Sequence, residues 1–358
     1  MKVAIVTDTH SGARNDNPAF NEFFISFFEK QFFPYIKEHD IKHVIHLGDV
    51  FDRRKYINFN TLRSWQERVF TPLHGLVSHM DILIGNHDTY FKNTNTVNSV
   101  EGLLSSFPKF KIYTEPTEVK VGDRDVLFLP WICEDNIIQS RKMIEDTKAQ
   151  VCMGHLELMG FEMHSGHINK DKGLTASIFD KFFMTLTGHF HHKSSNNGIH
   201  YLGSPYPIIW SDWGDIRGFH IFDTETLDLQ FIENPAQIFC KIFYDDSKET
   251  FDTLVNKDYS GLTGMFVKII VQNKTNPYLF DQFIEALQKV NPTDISIVEA
   301  AFENTSEEEV LDEAKDTLSI LMDYVKSLSL QTHETELMSL FNDLYIEALN
   351  TSDQIQGS

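Results

Sequence analysis

The chain has 358 residues, 41% of them hydrophobic and 23% charged, enough for a sizeable core and two or three structural units. No apolar run approaches the roughly 20 residues a membrane span needs, and no basic-then-apolar leader opens the sequence, so a cytoplasmic protein is expected. Cys133, Cys152 and Cys240 are odd in number and far apart, so they suggest neither a disulfide framework nor a thiolate zinc site and read as buried structural thiols.

A net charge of −21 argues against a polyanionic partner until its distribution is read. Residues 1–235 hold 23 Lys+Arg against 30 Asp+Glu, a net of −7; residues 236–300 hold 6 against 9, a net of −3; residues 301–358 hold 2 against 13, a net of −11. More than half of the excess therefore lies in the last sixth of the chain. Cations bound by carboxylates would lower the effective charge of the first part further.

In chain order, the first 235 residues alternate short apolar runs with helix-like stretches, the pattern of a layered α/β domain. Strands are predicted at residues 3–6, 44–47, 82–84, 126–129, 151–153 and 185–187. After the first strand, Asn17 can cap a helix with Pro18 at its first position, and Phe20, Phe23, Phe24, Phe27 and Phe28 form a stripe that faces the core. A second helix is predicted from about Asn60, carrying Leu62, Trp65, Val69 and Leu73, with Pro72 expected to kink it.

Near Pro235 the texture changes. The runs "IFCKIFYDD", "MFVKIIVQN" and "DISIVEA" read as strands, and "NPYLFDQFIEALQKV" as a helix capped by Asn276. This small α/β unit, residues 236–302, has no cluster of metal-binding or nucleophilic residues, so a covering or substrate-guiding role is expected. The final segment, residues 303–358, opens with the capping box Ser306 and Glu309. Leu311, Ala314, Leu318, Leu321, Val325 and Leu328 then step by 3 and 4, as in a coiled-coil seam, and a second helix presents Leu337, Phe341, Leu344 and Ala348. Two short amphipathic helices bury little surface alone and must dock, either on their own protein or on a partner.

Five apolar runs finish in residues suited to binding metal: Asp8 and His10, then Asp49, then Asn86 and His87, then His155, then His189 and His191. Four of the five pass through a glycine, which permits a tight turn. In an open parallel sheet the carboxyl ends of strands share one edge, where ligands bind, so these termini are expected to converge. Carboxylate, amide and imidazole without thiolate suit Mn²⁺, or Mg²⁺, Fe²⁺ or Zn²⁺. The seven candidate ligands Asp8, His10, Asp49, Asn86, His155, His189 and His191 are too many for one ion but suffice for two that share a carboxylate. Two such ions suit in-line hydrolysis of a phosphoester by a bridging hydroxide. A single histidine near a strand end is more often a surface or core residue than a ligand; His43 and His46 receive no role on that ground, and His164 and His167 are expected to be solvated. His87 follows a ligand candidate directly, with Asp88 available to orient it, and is expected to act as an acid or a stabiliser of the transition state.

The ordered series D-x-H (Asp8, His10), G-D-x-x-D (Gly48 to Asp52), G-N-H-D (Gly85 to Asp88), G-H (Gly154, His155) and G-H-x-H (Gly188 to His191) resembles the calcineurin-like metallophosphoesterase superfamily. The resemblance implies a layered β-sandwich core flanked by helices. It also implies one metal held by Asp8, His10, Asp49 and His191 and the other by Asp49, Asn86, His155 and His189, with Asp49 bridging.

"GDVFDRRKYI", "GNHDTYFKN", "LPWICEDN" and "LGSPYPIIWSDWGDIRGFHIFDTET" further resemble the nuclease subunits of SbcCD-type complexes, most of all the form carried by T-even-like bacteriophages. That family implies Mn²⁺-dependent double-strand exonuclease and single-strand endonuclease activity on DNA, in break repair and recombination. It implies a coiled-coil ATPase partner that receives the C-terminal helices through Leu311, Leu318, Leu321, Val325, Leu337, Phe341 and Leu344. It also implies a homodimer formed by helices near the active site, here residues 60–78 and 98–106. Arg14, Arg53, Arg54, Lys55, Lys92 and Lys193 lie in loops after the ligand positions, where they can meet backbone phosphates. Asp52 stands where archaeal and eukaryotic relatives often carry a histidine, so that histidine's role does not transfer. The other readings are a phosphatase or phosphodiesterase of the same superfamily, since Arg53 occupies the place of a phosphate-binding arginine, and a non-catalytic scaffold. An intact ligand set speaks against the scaffold.

Overall fold

The computed structural model describes residues 1–164 and 167–299. The expected helix pair and its partner-facing side chains lie outside the described residues.

Two six-stranded sheets make the core. In spatial order the first runs Leu229–Asn234, Arg217–Asp223, Lys2–Val6, His43–His46, His79–Leu83, Phe110–Tyr113. Its last four strands are parallel, and Arg217–Asp223 joins them antiparallel. The second runs Ser194–Asn196, Ile199–Tyr201, Met184–Gly188, Val151–His155, Arg124–Leu129, Thr117–Val121, with four central parallel strands and an antiparallel strand at each edge.

Alternation along each strand divides its side chains between two cores. Val3, Ile5, Ile45 and Leu83 meet Val126, Phe128, Val151 and Met153 between the sheets, while Ala4, Val6, Val44 and Ile82 face the helices on the outer side of the first sheet. Leu127, Leu129 and Cys152 do the same on the outer side of the second. Because both faces of the central strands are covered, their sequences read as continuous apolar runs. The result is the layered α/β sandwich expected.

The helix Pro18–Phe27 starts where Asn17 accepts the backbone N–H of Ala19 at 2.9 Å, and Phe20, Phe24, Phe27 and Phe28 are buried in the outer core. Phe24 stacks on Tyr206, with ring centroids 4.2 Å apart. The second helix begins at Phe59 under an Asn58 cap, close to the expected start. The kink expected at Pro72 is instead a π-turn, Gln66–Phe70, immediately before the proline's helix Thr71–Leu76. The same pairing recurs at Phe28–Phe32 before Pro34. A proline cannot donate to the carbonyl four residues back, and a widened turn absorbs that loss without breaking the helix. A short two-stranded ribbon, Glu162–His164 with His167–Ile168, occupies the stretch that holds His164 and His167.

After Asn234, Phe239–Asp245, Phe266–Asn273 and Asp294–Glu299 form a three-stranded parallel sheet covered by the helix Pro277–Gln288. Tyr244, Val267, Ile269, Phe283 and Leu287 give it a core of its own. Phe239, at its first strand, packs on Phe20 and Trp210 of the larger unit, with centroids 5.6 and 4.5 Å apart. No helix among the described residues is long and apolar enough to cross a membrane.

Candidate metal centre

The five polar strand ends come from both sheets. Asp8, Asp49 and Asn86 follow three parallel strands of the first, and His155 and His189 end two parallel strands of the second. They meet at one rim of the sandwich. The backbone is bent to bring them there: Asp8, His10, Asp49 and His189 all have positive φ, at 53°, 43°, 55° and 89°. Each such non-glycine residue costs on the order of 1 kcal/mol or more, so the surrounding structure must hold it. The amide of Asp8 donates to the Gly48 carbonyl at 3.0 Å and that of His10 to the Asp49 carbonyl at 3.1 Å, which locks the first two loops side by side. Two glycines are needed because the loops cross in contact. A Cβ on Gly85 would lie 2.1 Å from Asp49 Oδ1, and one on Gly188 would lie 2.1 Å from Thr7 Oγ1.

The candidate ligand atoms face one another at short range. His10 Nε2 and His191 Nε2 are 3.0 Å apart. Asn86 Oδ1 lies 3.0 Å from His155 Nε2 and 2.9 Å from His189 Nδ1. Asp49 Oδ2 lies 3.2 Å from His155 Nε2 and 3.7 Å from His10 Nε2. Asp8, His10 and His191 form one group able to hold an ion, and Asp49, His155 and His189 a second; Asp49 also groups with His10 and His87. Separations near 3.0 to 3.5 Å are the edges of a coordination shell with bonds of about 2.0 to 2.2 Å. The donor set of oxygen and imidazole nitrogen, without sulfur, fits borderline-hard divalent cations.

Outer contacts fix which atom each ligand presents. His155 gives its Nδ1 to the Leu47 carbonyl at 2.9 Å, leaving Nε2 for the site. Asp8 accepts Thr7 Oγ1–H at 2.7 Å and the amide of His189 at 3.0 Å. A buried arginine, Arg217, donates to the His191 carbonyl, to Ser204 Oγ at 2.7 Å and to Asp212 Oδ1 at 2.8 Å, pinning the loop that carries His191. Burial alone would raise the Asp49 carboxyl, but the imidazoles of His155, His87 and His10 hold it well below the usual range. Burial opposes a charge on His155, yet Asp49 beside it raises the imidazole to about 9. Protons thus sit where cations would displace them.

His87 places Nδ1 2.6 Å from the Asp52 carbonyl oxygen, and its ring stands 4.7 Å from that of His10. Here the expected role of Asp88 changes. Its carboxylate accepts the amides of Asp49 and Gly85, both at 2.9 Å, and of Phe51 at 3.0 Å. Asp88 clamps the Asp49 loop to the His87 loop, and the Asp52 carbonyl is what receives His87 Nδ1. The reason is burial: a carboxylate with no exposure needs donors, and three backbone amides surround it. Burial and the charge of Asp49 push its carboxyl up to about 6.

The side chain of Asp52 lies 3.3 Å from His10 Nδ1. Trp131, whose ring centroid is 5.1 Å from that of His189, walls the second ligand group; sequence reading gave it no role, since an isolated tryptophan after a strand carries no signal of its own. His46 and His43, set aside from sequence, are held within the fold by Thr9 Oγ1 at 3.0 Å and Asp81 Oδ2 at 2.7 Å. Of the basic candidates, Arg53 is paired with Asp16 at 2.8 Å and Asn15 at 2.9 Å, and Arg54 donates to Thr89 Oγ1 at 3.1 Å. Lys55 and Lys92 are exposed. Arg14 stands 5.7 Å from the Phe20 ring and Lys193 4.4 Å from the Phe231 ring.

A family model for calcineurin-like phosphoesterases matches residues 1–193, the segment that supplies every ligand candidate. The chain belongs to this family, whose members use divalent metals. Over 353 residues it is 30% identical to exonuclease subunit 1 of Enterobacteria phage T4, covering 97% of this chain and 99% of that protein. Among solved structures, an archaeal phosphodiesterase matches at 12% identity and a TM-score of 0.32, over 65% of this chain and 100% of the other. The purple acid phosphatase PPD1 of yellow lupin matches at 13% identity and a TM-score of 0.36, over 62% of this chain and 48% of the other.

Proposed function

We propose that this chain is the nuclease subunit of an SbcCD-like complex, a metal-dependent phosphodiesterase that cuts DNA from double-stranded ends and within single strands during break repair and recombination. The observation that carries the phosphodiester chemistry is Asp49, which lies between two ligand groups at the rim of the sandwich. Likeness over nearly the whole chain to a phage exonuclease subunit supports DNA as the substrate.

Asp8, His10, Asp49 and His191 would hold one cation and Asp49, Asn86, His155 and His189 the other, a donor set that suits Mn²⁺ as well as Mg²⁺, Fe²⁺ or Zn²⁺, with Mn²⁺ the ion the nuclease resemblance implies. Such cations, when bound, neutralise the phosphate and acidify water. The chain's own part is to aim. Leu47 and Thr7 orient the ligands, and Arg217 holds the His191 loop. His87, held through Nδ1 by the Asp52 carbonyl, gives a proton to the departing oxygen. Arg14, Arg53, Arg54, Lys55, Lys92 and Lys193 serve the flanking phosphates, and residues 236–302 cap the site and guide DNA. Residues 303–358 bind the coiled-coil ATPase, and the helices near residues 60–78 and 98–106 pair two copies.

The test is an assay of the full chain with Mn²⁺ on end-labelled duplex DNA, para-nitrophenyl phosphate and cyclic nucleotides. DNA cleavage that Asp8→Ala abolishes is expected; turnover of the small esters alone would make it a phosphatase, and no turnover a scaffold. Removing residues 303–358 is expected to abolish capture of the ATPase, and capture that survives would place the partner elsewhere.

A further inference from the structure

Large aromatic side chains stand exposed on the two loops that follow Asp49 and His87. Tyr56 is 65% exposed, Tyr90 40% and Phe91 49%. Soluble proteins rarely leave aromatic surface gathered in one place without a use. Both loops leave directly from site residues: Tyr56 follows Asp49 by seven positions, and Tyr90 follows His87 by three. The loops are tied together, since Arg54 Nη1 donates to Thr89 Oγ1 at 3.1 Å and Lys55 Nζ lies 6.0 Å from the Tyr90 ring. They are also braced from behind. The amide of Tyr90 donates to the Val97 carbonyl at 2.8 Å, and Asn95 Nδ2 donates to the carbonyls of Thr114 at 3.1 Å and Trp131 at 2.8 Å. Exposed rings on a braced backbone form a surface set before any ligand arrives, which lowers the ordering cost of binding.

Cations are interleaved with the rings. Arg53 lies 4.9 Å over Tyr56, Lys55 sits beside Tyr90, and Lys92 follows Phe91. A second copy of the chain suits this surface poorly, because a two-fold contact would set like charges against each other. What suits it is a ligand with flat faces along an anionic backbone.

We propose that residues 53–56 and 89–92 form a stacking platform for unpaired nucleotides, which holds a single strand or a frayed end beside the metal centre. The proposal rests on the nuclease reading and adds the part of the substrate it grips: base faces, without regard to sequence. Tyr90 and Phe91, with ring centroids 4.7 Å apart, provide the main surface, and Tyr56 extends it.

The experiment compares the full chain with the double variant Tyr90→Ala, Phe91→Ala and with Tyr90→Trp. Each binds a labelled single-stranded thymidine oligonucleotide and an abasic strand of equal length, with cleavage stopped by a chelator. Wild type is expected to prefer the base-bearing strand, the double variant to lose about 10- to 100-fold of that preference, and Tyr90→Trp to keep it. Because both strands carry the same phosphates, the ratio reads stacking alone. A double variant with the wild-type ratio, in a chain that still cuts DNA, overturns the platform and leaves the nuclease reading standing. A wild-type chain that binds neither strand and cuts no DNA overturns both. A double variant that turns a dimer into a monomer in sedimentation while keeping the base preference makes the patch a contact between copies, and overturns the platform as well.

Discussion

Asp88 Oδ2 accepts the backbone N–H of Asp49 at 2.9 Å, so the residue after His87 holds in place the loop that carries the central carboxylate. The same oxygen takes the amide of Gly85 and the other oxygen that of Phe51. One buried side chain thus sets the spacing between the second and third ligand-bearing loops.

Asp88→Asn is expected to destabilise the protein by about 1 to 3 kcal/mol, because an amide offers one oxygen where two are used and turns its NH₂ toward a backbone donor. The urea midpoint should fall, and Mn²⁺ affinity with it. An unchanged midpoint would show that the three amides find other acceptors.

Gly85→Ala should damage the centre although every ligand candidate stays in the sequence. The new methyl would sit 2.1 Å from Asp49 Oδ1 and 2.3 Å from its amide nitrogen, a contact only backbone movement relieves. Overpacking of this kind costs about 1 to 3 kcal/mol, and a shift near 1 Å at a reacting centre costs on the order of 100-fold in rate. Steady-state rates on labelled duplex and a melting curve are the measurements; wild-type kinetics would mean that the loops are not in contact in solution.

For His87→Ala, a rate loss of about 100- to 10,000-fold is expected if Nε2 moves a proton. Metal content, read by elemental mass spectrometry on the same samples, should remain near wild type. Loss of metal in parallel with rate would reassign His87 as a ligand, a role its grouping with His10 and Asp49 allows.

His220, which belongs to none of the ligand groups, gives a pH test. Burial first, then Lys193 and His200, lowers its pKa from 6.5 to about 3. Between those values the unfolded chain binds a proton that the folded chain refuses, so this residue makes stability rise with pH across that window and fall as the solution is acidified. Its share of the slope is about 1.4 kcal/mol per pH unit. His220→Phe, whose ring suits the neighbouring Phe231, should flatten the curve of urea midpoint against pH between about 4 and 6. Parallel curves for the two proteins would show that His220 already takes up its proton in the fold.

The chain order of strand, glycine and polar residue is written in local patterns, and those patterns single out Asp8, His10, Asp49, Asn86, His155, His189 and His191. The helix start at Pro18 is equally legible, because Asn17 acts on an amide two positions away, whereas the Asn58 cap of the second helix goes unread and its start is expected near Asn60. The strand ends, however, do not share one open sheet. They belong to two sheets facing each other, and the amide of His189 reaches Asp8 across 181 positions. Local periodicity cannot express that meeting, because it arises only when both sheets bury a common core. The tether of His87 to the Asp52 carbonyl, the bond of His155 to the Leu47 carbonyl and the grip of Arg217 on the His191 carbonyl were hidden for a related reason. Every residue has a carbonyl, so residue identity says nothing about which one is used. Composition and spacing by themselves determined the chemistry available to this protein; tertiary packing decided which atoms face one another, since only it brings distant loops within hydrogen-bond range.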